Sequence, residues 1–138
     1  MTQLAWVWPG PQVMRALHEE QLAAHGGAGG VVDPALFDAA IGAGLNRQAD
    51  ADLAALAAAC GCALLHRQPF VDGNQRTAFV AIELFLALNG WELLADDGQC
   101  VLTMLNLEAG DLSQDDLAHW LRQHMAPRKD AASLAGRA

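Results

Sequence analysis

Lysine occurs once, at Lys129, and aromatic residues make up only 6% of the 138-residue chain. Sixteen acidic side chains stand against eight basic ones, a formal net charge of −8. So acidic a surface works against binding nucleic acid directly, because phosphate backbones need cations opposite them. Hydrophobic residues reach 53%, so with few aromatics the core must come from Leu, Ala and Val. The length suits one domain with a real core. No apolar run reaches the ~20 residues of a membrane span, and Met1-Thr2-Gln3 lacks the basic start of a secretory signal. A cytoplasmic chain without a membrane partner is therefore expected. Cysteine is scarce and odd in number: Cys60, Cys62 and Cys100. Cys60 and Cys62 flank Gly61 in a helical pattern and point different ways. All three are expected to be reduced core residues, at a spacing that does not suit zinc.

Against this Ala/Leu-rich background one passage is polar and irregular: His66 to Phe79, HRQPFVDGNQRTAF. Pro69 lacks an N–H and pushes Gln68 out of helical geometry, so a preceding helix should stop there. Val71-Asp72-Gly73-Asn74 carries turn chemistry. From Arg76 on, Phe79, Ile82, Phe85 and Leu86 recur at helical spacing. The pattern is helix, short loop, helix. Free N–H groups and the dipole at a helix start suit an anion. Gly73 admits close backbone approach, and Arg76 offers a planar fork for phosphate. Asn74 can bond a phosphate oxygen or hold the loop. Asp72 can hold Mg²⁺, which takes few protein carboxylates. The plainer reading makes Asp72 or Asn74 a helix cap.

The rest of the chain frames this loop. Leu4 to Trp8 alternates partially, a short strand or arm with Trp6 and Trp8 packed on the body. A helix over about 11–25 should place Val13, Leu17 and Leu22 on one side, with His18, Glu19 and Glu20 on a solvated face. Gly26-Gly27-Ala28-Gly29-Gly30 lacks the preceding strand and following Lys-Ser/Thr of a phosphate loop and reads as a flexible connector. Asp33-Pro34 starts a helix to about Ile41 or Gly44. Asn46-Arg47-Gln48 is a polar loop. Asp50 or Asp52 opens a helix over about 51–67, apolar nearly all round and so buried on most sides. The helix over about 74–89 ends at Asn89-Gly90, a fitting C-cap. Trp91 to Leu94 is a short extended piece. Asp96-Asp97 caps a helix stopped by Gly110, and Ser113 with Asp116 forms a capping box for a last helix to about Met125. The domain is expected to span 1–125, with 126–138 a disordered tail. The fold class is all-α: about six helices around a central apolar pair.

PFVDGNQRTA resembles the core motif of the Fic/Doc family, His-x-Phe-x-(Asp/Glu)-(Gly/Ala)-Asn-x-Arg. Phe70, Asp72, Gly73, Asn74 and Arg76 fall in register, and Thr77-Ala78 resembles the Doc (death-on-curing) branch. The flanks are similar too: a small-residue helix before the loop, the apolar helix to Leu88-Asn89-Gly90 after it, and LHEEQLAAHGG…VVDPALFDAAI upstream. His18 beside Glu19 and Glu20 looks like a family feature. The resemblance covers about residues 10–124.

It implies a Mg²⁺- and ATP-dependent (or other nucleoside triphosphate-dependent) toxin that modifies a protein hydroxyl. Doc-type proteins phosphorylate a Thr of elongation factor Tu, whereas Fic proteins more often transfer AMP. Arg76, Asn74, Gln75 and the Gly73 backbone would hold phosphates, Asp72 the metal, and Phe70 would anchor the loop. One departure stands out. The family's catalytic His corresponds to Gln68, whose amide has no useful basicity. His66 is a poor substitute, since residues two apart differ by about 200° on a helix or about 7 Å along a strand. Gln75 stands where Fic proteins usually have Gly and Doc-type proteins often Lys. The inhibitory Ser/Thr-x-x-x-Glu helix of autoinhibited Fic proteins has no counterpart, so restraint would come from an antitoxin in trans. The alternative implied by Gln68 is an inactive Fic-fold module that binds nucleotide or a partner.

Overall fold

The computed structural model describes residues 6–31, 33–42 and 52–128. In chain order these form α1 (Pro11–His25), α2 (Pro34–Gly42), α3 (Leu53–Arg67), α4 (Asn74–Leu88), β1 (Trp91–Leu93), α5 (Asp97–Ala109), α6 (Gln114–His124) and β2 (Met125–Pro127). The described fold is helical, with one two-stranded ribbon. No described helix is long and apolar enough to cross a membrane.

The spine is the expected pair, α3 and α4. Asp52 accepts the Ala55 N–H at 2.9 Å and starts α3. From Leu53 to Leu65 nearly every α3 side chain is buried, because the helix packs on α2, α4 and α6 together. Small residues allow this crowding: Ala57 and Ala58 are fully buried, and Gly61 lies where Ile82 of α4 leaves no room for a Cβ. α4 contributes Ile82, Phe85 and Leu86, all essentially inaccessible, each burial worth roughly 1.5–3 kcal/mol. Trp8 stacks on Phe85 at 4.1 Å between ring centroids, and Trp6 is half-buried against the core. Asn89 closes α4: its Nδ2 donates to the Phe85 carbonyl at 2.8 Å and the Val7 carbonyl at 2.9 Å. Gly90 follows with φ +85°.

The remaining caps also match local expectation. Asp96 and Gln99 exchange bonds of 2.7 and 3.2 Å in a capping box. Ser113 and Asp116 do the same at 3.0 and 3.1 Å.

Two expectations need correction. α1 does not bury Val13, which is exposed; its inward face is Met14 and His18, the helix packing along α4 with His18 turned onto the loop before it. α6 ends at His124, and Met125–Pro127 forms β2, antiparallel to β1 with Glu92 opposite Ala126. Ala126 and Pro127 thus belong to the fold. Pro127 sits at an edge position where its missing N–H costs little. Leu4, Asn46, Arg47, Gln48, Asp50 and residues 129–138 lie outside the described residues.

Candidate functional site

α3 stops at Arg67, and Gln68 turns left-handed with φ 48° and ψ 60°, the one non-glycine with positive φ among the described residues. The reversal sends the chain back along the bundle and drops Phe70 into the core at 2% exposure. There Phe70 stacks on His18 at 3.7 Å, with 7° between planes, and meets Phe37 edge-on at 5.6 Å. His18 is therefore not on a solvated face. It is buried, and its Nε2 lies 2.6 Å from the Asp72 carbonyl. Glu19 and Glu20 do face solvent.

The glycine run after α1 is more than a connector. Val71 N–H donates to the Gly30 carbonyl at 3.0 Å, and Val31 forms an antiparallel bridge with Phe70. Ala28 N–H donates to Asp72 Oδ2 at 3.1 Å. Gly27, at φ +123°, passes so close that a Cβ would lie 3.0 Å from Leu22 Cδ2 and 3.3 Å from Asp72. Only glycine fits that backbone and that gap. Sequence reading missed this pairing because the two segments lie more than forty residues apart.

Neither Asp72 nor Asn74 caps α4. Asp72 is turned to Ala28. Asn74 folds back on Phe70, accepting its N–H at 3.1 Å and donating to its carbonyl at 3.0 Å. The N-cap position is Gly73, at φ 76°, and no side chain caps the helix. The first-turn N–H groups of α4 thus stay available to an anion.

Those groups border a cavity of about 420 Å³ whose lining includes Gln68, Asp72, Asn74, Arg76, Leu105 and Glu108. Arg76 is exposed, and among the described residues its guanidinium makes no hydrogen bond or ion pair. Gln75 Nε2 donates to Glu108 Oε1 at 3.1 Å, which ties α4 to α5. Glu108 gave no sequence signal, since it lies 33 residues beyond Gln75. A second cavity of about 360 Å³ shares Gln75 and Arg76 and is walled mostly by apolar groups such as Phe79, Val80 and Met104. His66 points elsewhere, its Nε2 3.3 Å from the Leu107 carbonyl.

The donor set suits a magnesium-bound polyphosphate. Asp72 offers one carboxylate oxygen with the other held by Ala28. Beside it stand an uncapped helix start and a free arginine, and hard oxygen ligands with few carboxylates match Mg²⁺.

The comparisons with known proteins converge on the same segment. The model of the Fic/DOC family matches residues 8–86, from the arm before α1 through most of α4. Protein kinase Doc of Escherichia phage P1 is 30% identical over 116 residues, which cover 82% of this chain and 91% of that protein. With a family match over more than half its length, and the motif loop of that match folded between two buried helices, the chain belongs to the Fic/Doc family.

Proposed function

We propose that the chain is a Doc-like toxin that transfers the γ-phosphoryl group of a magnesium-bound nucleoside triphosphate, ATP or another, to a protein hydroxyl. A Thr of an elongation factor Tu-like protein is the target class, met in the cytoplasm; AMP transfer is the less favoured chemistry. The observation that carries this reading is the uncapped α4 N-terminus beside Asp72 and Arg76 in one cavity. Similarity to a protein kinase supports the phosphoryl choice.

The roles follow from the side chains. First-turn N–H groups from Gly73 to Gln75 and the Arg76 fork would hold the phosphates and spread the charge of the transferring group, the larger part of such catalysis. Asp72 would hold Mg²⁺, which supplies charge neutralisation when bound. Ala28 keeps that carboxylate oriented. Asn74 and Phe70 hold the loop rigid. The target oxygen would form a bond to the γ-phosphorus as the bond to the β–γ bridging oxygen breaks, with the nucleoside diphosphate leaving. Its proton has no base to go to at Gln68 and must pass to solvent or phosphate. The loss of a general base costs about 10²- to 10⁴-fold. An antitoxin in trans would restrain the toxin, since the chain lacks the inhibitory Ser/Thr-x-x-x-Glu pattern.

Gln68 itself favours a second reading, an inactive module that keeps Mg-dependent nucleotide or partner binding. A radiolabel-transfer assay separates the two. The chain and Gln68→His are each mixed with γ- or α-labelled ATP and a bacterial lysate holding the native target. His is among the side chains better tolerated at positive φ, so the variant should fold. Label from the γ position, strong in Gln68→His and weak in the parent, is expected. Label from α would replace phosphoryl with nucleotidyl transfer. No label in either, alongside calorimetric binding of MgATP, would leave the binding module.

A further inference from the structure

We infer that His18 is a positioning residue of the anion site: its ring sets the direction in which the Gly73 N–H points. The inference rests on the functional reading above. A single ring on α1 touches three residues of the motif loop. It stacks on Phe70 at 3.7 Å between centroids and 7° between planes. Its Nε2 sits 2.6 Å from the Asp72 carbonyl oxygen. Its Cδ2 and Nε2 lie 3.6 Å from where a Cβ on Gly73 would be. His18 is 3% exposed, so the ring itself has little access to water and is held against the loop.

A carbonyl oxygen only accepts, so Nε2 carries the proton in this contact. The Asp72–Gly73 peptide is planar and trans, which sets its C=O and N–H in opposite directions. Drawing the carbonyl toward α1 therefore turns the Gly73 N–H away from α1. That group then stands with the uncapped first turn of α4 rather than against the protein. Leu22, one turn further along α1, closes the other side, with Cδ2 3.4 Å from the Gly73 Cβ position. The stack holds the ring in plane, and the hydrogen bond turns the peptide. Only the second act needs a donor at Nε2.

Substitutions separate the two acts. His18→Phe keeps a flat ring against Phe70 but has no donor; His18→Gln keeps a donor at nearly the same reach but has no ring. Calorimetry with inorganic pyrophosphate and with MgATP, on the full chain, should show about tenfold weaker binding for His18→Phe, the worth of one good hydrogen bond. His18→Gln should stay within about threefold of the parent, since its donor keeps that bond. Melting temperatures are recorded for all. If His18→Phe fails to fold, His18→Met, donor-free and of similar length, takes its place. Long-range ¹H–¹⁵N spectra of the parent should show a protonated Nε2 on His18.

A folded His18→Phe or His18→Met that binds like the parent overturns the inference. So does equal weakening in the donor-bearing and donor-free variants, which would reduce His18 to packing. An unprotonated Nε2 overturns it without any variant. A parent that binds neither probe fails differently: it removes the functional reading, and this inference with it.

Discussion

Gly61 and Ile82 meet where α3 crosses α4, and a Cβ on Gly61 would press into Ile82 Cδ1 and lie 2.8 Å from its Cγ1. The glycine sits mid-helix, where Ala would ordinarily gain about 1 kcal/mol. Ile82 is 1% exposed and has little room to retreat, and overpacking a core costs about 1–3 kcal/mol. We expect Gly61→Ala to be net destabilising by about 1 kcal/mol, the difference of those terms. In an Ile82→Val background, which removes Cδ1, the cost should shrink. Urea unfolding of the four-member cycle checks this; equal costs in both backgrounds would show that the contact does not set the helix spacing.

Asn74 carries two bonds to the Phe70 backbone, and they close the motif loop on itself. Asn74→Ala should cost about 1–3 kcal/mol, because both Phe70 groups lose their side-chain partner. Asn74→Asp should recover only the accepting half. Unfolding midpoints and MgATP affinity should fall together in Asn74→Ala. An unchanged affinity would mean that the loop shape does not depend on this clasp.

Asp52 serves twice, capping α3 and pairing with Arg122 at 2.6 and 2.9 Å. The hydrogen-bonded guanidinium holds its carboxyl below the ordinary 3.8, against an opposing push from desolvation. A carboxyl lowered in the folded state stabilises above its unfolded value and loses that contribution as pH falls through the folded one. Both partners are about half exposed, so the pair adds at most about 1 kcal/mol, beside about 1 kcal/mol for the cap. The stability gap between parent and Asp52→Asn should be full at pH 6 and close as pH drops below 3.8. A gap that persists in acid would place the effect in packing.

Cys60, Cys62 and Cys100 are unpaired and buried. Burial pushes the thiols of Cys60 and Cys62 up to about 11, and burial with nearby acidic groups raises Cys100 as well. At pH 8 the first two are thiolate roughly one part in a thousand. Ellman's reagent should react slowly with the folded chain and promptly with all three thiols in urea. Fast native reaction would mean that the α3 spine opens readily.

Local chemistry made much of this protein readable from its residues. Asp52, Asp96 with Gln99, Ser113 with Asp116, and Asn89-Gly90 mark helix ends through partners within a few positions. Pro69 and Gly73 mark the loop the same way, and the all-apolar run from Leu53 to Leu65 announces a helix enclosed on most sides. Those rules act over one helical turn, so the sequence alone determined helix, loop and motif. Contacts that depend on how helices cross were decided only by the tertiary structure. His18 under Phe70, Ala28 on Asp72, Gln75 on Glu108, and β2 beside β1 each join segments 32 to 52 residues apart. No periodicity encodes such pairings. They follow from the close approach of α3 and α4 and the rotation of α1, which are set by side-chain volumes summed across the whole core.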